Sequence, residues 1–389
     1  MSEPSLPPPA TTPAGWYPDP TGDSDWRWWN GSAWTAFTGG ASRERRPRLP
    51  RWLSVPVTIC APLLALGLIV MVAVEPVVVA AGLVPFVIVL PVLSWLDRVE
   101  PEPRASRAHA VLWGASVAVV VALIANGVVA VAFGEIAAVV ISAPVAEEAI
   151  KGLGVVWAVR RREVDGVSDG VVYAGWVAIG FAVVEDMTYF SIASVEGAFL
   201  PVFIIRAILT PFAHPLFTFW TGLAIGLAVR RGRPLWTAWW GYALAVITHA
   251  MWNGSLAFGD IVGDVTEDVA TRVVFLAAAL FVALFVAVAI TLIVMRRRER
   301  DRFDHMLPFL AQQYGLTPAE AAMFSGWQQL LRQRRALPRS ARPAFDHVHA
   351  SLARLSAQHE RLGAIDPATE RVLATQLAQA RARLHAELG

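Results

Sequence analysis

Long apolar runs cut by short polar loops dominate the chain from about residue 52 to 295. About 20 helical residues cross a hydrocarbon core of about 30 Å. By that measure the pattern predicts eight spanning helices, at roughly 52–74, 77–95, 110–133, 136–159, 171–192, 200–229, 235–257 and 272–295. Only Glu75-Pro76 separates the first two. Beyond the last span the pattern becomes polar with a helical period, broken at Pro318, Pro338, Pro343 and Pro367. Residues 296–389 are therefore expected to form a cytoplasmic helical domain, with amphipathic helices at 345–362 and 369–388. At the other end, residues 1–14 are rich in Pro and Thr and are expected to be disordered; 15–38 form an aromatic β mini-module with an Asn30-Gly31 turn; 39–51 are a basic linker. The fold class is thus an all-α polytopic membrane protein of about eight transmembrane helices, with the membrane domain at 52–295, a small N-terminal β module and a C-terminal helical domain.

Composition agrees. Of 389 residues 56% are hydrophobic and 16% charged, where a soluble domain carries about 25% charged. The one cysteine, Cys60, excludes an internal disulfide and a thiolate metal cluster. The N-terminus lacks the basic start and apolar core of a signal peptide. Arginines set the orientation: Arg98, Arg104 and Arg107; Arg160, Arg161 and Arg162; Arg230, Arg231 and Arg233; and Arg296, Arg297, Arg298 and Arg300 fall on one side. Glu135, Glu196 and the run Asp260, Asp264, Glu267, Asp268 fall on the other, with Arg272 the exception. Both termini are then cytoplasmic in a multi-pass cell-membrane protein. The arginines after residue 300 alternate with apolar residues as on an ordinary helix surface, and no nucleic-acid motif is present.

Four spans carry polar groups that a bilayer makes costly. The fourth has Glu147, Glu148 and Lys151, the chain's only lysine; the fifth Glu185 and Asp186; the sixth His214; the seventh His249 and Asn253. At 1.5 Å per residue, Glu148 lies about 18 Å from Arg160, Glu185 about 21 Å from Val171, His214 about 24 Å from Arg230 and His249 about 21 Å from Leu235. One layer holds them all, so they are expected to converge on one site. Lys151 stands i+4 and i+3 from the two glutamates and can reach both; His249 and Asn253 are i,i+4 on one face. Pro144, Pro211 and Pro215 flank these groups, where freed carbonyls are tolerated beside protein or a wet cavity. Arg206, nearer the outer end of its span, is expected to snorkel or to pair with an outer acid.

Taken in order, Glu147-Glu148-Ala-Ile-Lys151, Phe181-Ala-Val-Val-Glu185, His214 and His249-Ala-Met-Trp-Asn253 resemble the PrsW family of intramembrane proteases, relatives of the type II CAAX prenyl endopeptidases. The resemblance covers about residues 55–295. It implies hydrolysis of a peptide bond in a membrane protein substrate, in some members an anti-sigma factor, by chemistry described both as metal-dependent and as glutamate-dependent. In the CAAX relatives the second motif usually ends in His where this chain has Glu185. Gly15-Trp16-Tyr17-Pro18-Asp19-Pro20, Trp26-Arg27-Trp28-Trp29-Asn30-Gly31 and Trp34-Thr35 resemble a short N-terminal module of membrane proteins from high-GC Gram-positive bacteria.

The catalytic set expected is Glu147, Glu148, Lys151, Glu185, His214, His249 and Asn253. One glutamate of the pair activates water, Lys151 holds the other, Glu185 and His249 place water or shuttle protons, and His214 and Asn253 stabilise an oxyanion. The alternative is a zinc site with His214, His249 and a carboxylate such as Glu185 as ligands. A different class is a proton-coupled transporter using the same layer as a relay, although the two halves show no inverted repeat. His-Glu-x-x-His and Gly-x-Gly-Asp are absent, and Ser116 sits only about 9 Å into its span, off the layer. Substrate and lipid bilayer are the expected partners.

Overall fold

In lipid every backbone polar group must be satisfied within the protein, so an apolar run folds as helix. A computed structural model describes residues 15–21, 26–29, 33–39, 51–98, 101–263, 267–362 and 367–388. In chain order α1 is Arg51–Val74, α2 Pro76–Leu96, α3 Arg104–Phe133, α4 Ala143–Arg160, α5 Val167–Val195, α6 Phe199–Arg230, α7 Trp239–Gly263 and α8 Glu267–Gln313. Among the described residues, six helices are long and apolar enough to cross a membrane: α1, α2, α3, α5, α6 and α8. The chain is a multi-pass membrane protein. α4 packs Glu147, Glu148 and Lys151 into 18 residues, which keeps it outside a purely apolar criterion. α7 is likewise broken by Thr248, His249 and Asn253. The expected disorder of residues 1–14, the Asn30-Gly31 turn and most of the basic linker lie outside the described residues, as do the side chains of Asp260, Asp264, Glu267 and Asp268.

Two contact units divide the chain. In the membrane unit α5 is the central helix: 78% of its most apolar stretch is buried, against 6% for α1 and α8. Leu63, Leu66 and Ile69 on α1 and Leu276, Val282 and Ile290 on α8 are exposed, as lipid-facing side chains are. Without a hydrophobic drive between helices in lipid, close approach of small residues supplies the packing. Gly222 and Gly226 of α6 sit against Gly166 and Gly170 at the start of α5. A Cβ on Gly222 would meet the Gly170 carbonyl and come within 2.6 Å of Ala174 Cβ; one on Gly226 would come within 2.7 Å of Val167 Cα. Backbone cannot retreat as a flexible side chain does, so Gly222→Leu is expected to cost about 1–3 kcal/mol or more. Thermal unfolding of the purified protein in detergent should show it, while Gly127→Leu, at a glycine with open space, should leave the midpoint unchanged.

The second unit contains a three-stranded antiparallel sheet, β1 Gly15–Pro18, β2 Trp26–Trp29 and β3 Trp34–Gly39, in the order β1-β2-β3. Trp34 meets Trp29 and Tyr17 edge-on, and Arg27 pairs with Asp19 at 2.9 Å. β1 and β3 contact the last helix, Pro367–Leu388. α8 runs unbroken to Gln313, and the second unit resumes within it at Val294. After it come α9 Pro318–Phe324, α10 Trp327–Ala336, α11 Arg342–Leu362 and α12 Pro367–Leu388. A Thr317/Glu320 capping box starts α9, and Leu310, Phe324, Phe345, Leu352 and Leu377 close the core. Here the amphipathic pattern reads out directly, because water distinguishes the two helix faces.

His349 of α11 is buried in this core beside Phe303 and Phe324. Burial, then the nearby Arg300 and Arg296, push its imidazole down to about 3. The unfolded chain binds a proton below about 6.5 that the folded chain refuses. Stability is therefore lost as pH falls below that value, at roughly 1 kcal/mol per pH unit. His349→Phe is expected to remove this part of the dependence; hydrogen exchange of α11 between pH 7 and 5, wild type against variant, measures the difference.

Candidate active site

α4 brings its acids together by helical geometry. Lys151 Nζ donates to Glu147 Oε2 at 3.2 Å and to Glu148 Oε1 at 3.1 Å. Its third contact crosses to α6, where His214 Nδ1 lies 3.1 Å away. Three ammonium hydrogens thus meet three acceptors, with the side chain fully buried and Nζ 3.9 Å over the ring of Phe181 from α5. Because an ammonium only donates, these partners assign His214 the tautomer with its hydrogen on Nε2. That nitrogen donates to Glu185 Oε2 of α5 at 2.8 Å. Both oxygens of Glu148 are engaged: Thr218 donates to Oε2 at 2.8 Å, and His249 of α7 places Nδ1 3.2 Å from Oε1. Phe217 stacks on the His249 ring at 4.7 Å and 15°. His249 Nε2 then faces Glu147 Oε2 at 3.9 Å.

Six of the seven residues expected from sequence therefore meet: Glu147, Glu148, Lys151, Glu185, His214 and His249. Asn253 differs. Its amide nitrogen donates to the Val139 carbonyl at 3.0 Å, in the turn Ala138–Ser142 that leads into α4. That turn is a widened one. The oxyanion role expected for His214 meets a similar obstacle, since both ring nitrogens are engaged. Pro211 falls where α6 breaks: helical turns end at Leu209, and the helix restarts at Ala213, one residue before His214. Cys60 is half-buried and packs against the core, and Ser116 bonds back to Leu112 O in its own helix.

Thr218 was not among the expected contributors, and Arg206 was expected either to snorkel or to pair with an outer acid. Thr218 is one turn after His214 on the same face, a spacing that could have marked it. Arg206 does not snorkel. Its guanidinium grips Glu185 Oε2 and Asp186 Oδ1 together and lies 3.9 Å over Tyr189. An arginine within an apolar run, one turn and a break before His214, was the available signal.

The comparisons fit this geometry. The model of the family described as PrsW family intramembrane metalloprotease matches residues 102–305, more than half of the chain. The chain belongs to the PrsW family. It is 28% identical over 207 residues to "Protease PrsW" of Geobacillus kaustophilus (strain HTA426), covering 46% of this chain and 88% of that protein. Residues 14–47 match a second family, a protein of unknown function (DUF2510). No solved structure matches. PrsW membership makes the chain a peptidase of the membrane.

The family description names a metal, so the donors bear testing. Glu147, His214 and His249 each bring one ligand atom within 4.8 Å of the others. Two imidazoles and a carboxylate are a set that zinc accepts. The carboxylate in it is Glu147, whereas Glu185 is bound to His214 Nε2. Lys151 Nζ already contacts Glu147 Oε2 and His214 Nδ1, so the ammonium would compete with an ion for those two atoms.

Proposed function

We propose that the chain is an intramembrane endopeptidase in which Glu147 is the general base that activates water. What supports this assignment is the difference between two adjacent glutamates. Glu148 is held by Lys151, Thr218 and His249, with both oxygens in use. Among the described residues Glu147 makes its contacts, to Lys151 and His249, through Oε2, which leaves Oε1 for a water. Glu147 takes a proton from that water as oxygen attacks the scissile carbonyl carbon. His249 Nε2, across from Glu147, relays the proton to the departing amine nitrogen as the C–N bond breaks, leaving a carboxylate and an amine. Glu148 orients His249 through Nδ1, and Phe217 fixes its plane. Lys151 supplies positive charge beside the developing oxyanion in a site with little water, where such charge counts most. Asn253 acts at one remove by fixing the turn before α4.

The donor triad favours a second reading, in which Glu147, His214 and His249 would hold a zinc ion, and that ion would supply Lewis-acid activation of water or of the scissile carbonyl. In either reading the substrate is a membrane protein cut within or beside the bilayer, an anti-sigma factor being one candidate, and both termini face the cytoplasm.

The test is cleavage of a co-expressed single-span substrate by wild type, Glu147→Gln and His249→Ala. Loss of cutting in both variants is expected; cutting at the wild-type rate in both would remove the reading. Metal content of the purified protein and the effect of a chelator separate the two chemistries. Stoichiometric metal whose removal stops cleavage would overturn the metal-free scheme.

A further inference from the structure

The scheme above leaves the Arg206 ion pair without a task, although it touches the same oxygen as His214. Glu185 and Asp186 are consecutive on α5, so their side chains leave the helix about 100° apart. A forked guanidinium can take one oxygen from each, where a point-like ammonium serves one direction. Arg206 does so from the widened stretch Ile204–Leu209, just before the break in α6. Beside it Ala207 is fully buried, and Phe199 and Phe203 pack on Phe190 of α5, so the arginine is delivered from an anchored segment. Glu147, Glu148 and Lys151 are shut away, whereas the side chains of Glu185 and Arg206 are about one-fifth exposed. The outermost carboxylate of the cluster is therefore the one given a second cationic partner.

We propose that Arg206 is a positioning residue for peptide hydrolysis, holding Glu185 on His214 Nε2 and through that ring fixing Lys151 between the two glutamates. The inference rests on the proposed reading of the four-helix cluster as the active site. Without Arg206, Glu185 loses its lateral restraint and can turn toward solvent. His214 then loses the acceptor of its Nε2 hydrogen and with it the bond that orients the ring, so Nδ1 no longer meets Lys151 squarely. The error arrives at Glu147 as a displaced ammonium. Substrate is not touched, so the effect belongs in turnover and not in binding.

The experiment is steady-state kinetics of the full-length purified protein on a single-span substrate. Arg206→Met is expected to lower kcat about 10- to 100-fold, the scale of a misplacement near 1 Å, with KM within about twofold. Glu185→Gln should fall similarly, and the double variant should be no worse than the weaker single one, since both break one chain of contacts. Arg206→Lys should recover part of the loss, and Asp186→Asn, which leaves the Arg206–Glu185 contact, should cost less than Arg206→Met. If Arg206→Met does not fold, Arg206→Gln, which keeps a planar donor, carries the same comparison. Wild-type kcat in the Arg206 variants, multiplicative losses with Glu185→Gln, or a change in KM alone would overturn the proposal. Glu147→Gln in the same series keeps the two readings apart. If it is inactive while Arg206→Met works normally, this inference alone fails; if it cuts normally, the active-site reading fails with it.

Discussion

Glu147→Gln is expected to lower peptide cleavage by about 10²- to 10⁴-fold, the usual contribution of a positioned general base, while leaving thermal stability unchanged or slightly raised. The second half of that expectation is the informative one. One ammonium can balance one carboxylate, and Glu148, with its full complement of partners, is the better fixed of the two. Glu147 is the surplus charge in a nearly dry site, and removing surplus buried charge does not weaken a fold. Its neutral replacement can still accept from Lys151 through the amide oxygen. Glu148→Gln should behave in the opposite sense on stability: the amide puts a donor where Thr218, His249 and Lys151 together require acceptors, so the unfolding midpoint drops along with activity. Cleavage assays paired with thermal unfolding in the same detergent measure both quantities. Equal stability losses in the two variants would remove the division of labour between the glutamates.

Lys151→Met should have the largest effect on the protein as a whole. It strips the counter-charge from Glu147 and Glu148 and the donor from His214 Nδ1, all buried. Breaking a buried ion pair from one side costs about 3–5 kcal/mol, because the orphaned charge stays behind. Low yield in the membrane and a lowered midpoint are expected, with no cleavage. Combining Lys151→Met with Glu148→Gln reduces the number of unbalanced charges and should restore part of the stability without restoring activity. That rescue distinguishes charge imbalance from simple loss of side-chain volume, which the second substitution would not repair. The same variant examines the metal: if the ammonium and an ion compete for Glu147 and His214, Lys151→Met should bind zinc more tightly than wild type by direct metal titration.

Much of the site was open to reading along the chain because helical rise is regular. Counting from the span ends placed Glu148, Glu185, His214 and His249 at one depth, and spacing alone tied Lys151 to both glutamates, as the contacts bear out. What counting could not supply was the rotation of each helix. In water an apolar stripe marks the buried face, which is why the helices after residue 313 were legible. In a bilayer the lipid-facing and protein-facing sides are both apolar, and that contrast disappears. Hence the sequence left open whether Arg206 snorkels or pairs with an acid, where its side chain turns inward onto Glu185 and Asp186, and the spacing of Asn253 gave no sign of its bond to the Val139 carbonyl. The glycine faces of α5 and α6 set how closely those helices approach. The residue types and their depth were thus determined by the sequence itself. Their partners were decided by tertiary structure, because only contact between neighbouring helices fixes the direction in which each side chain points.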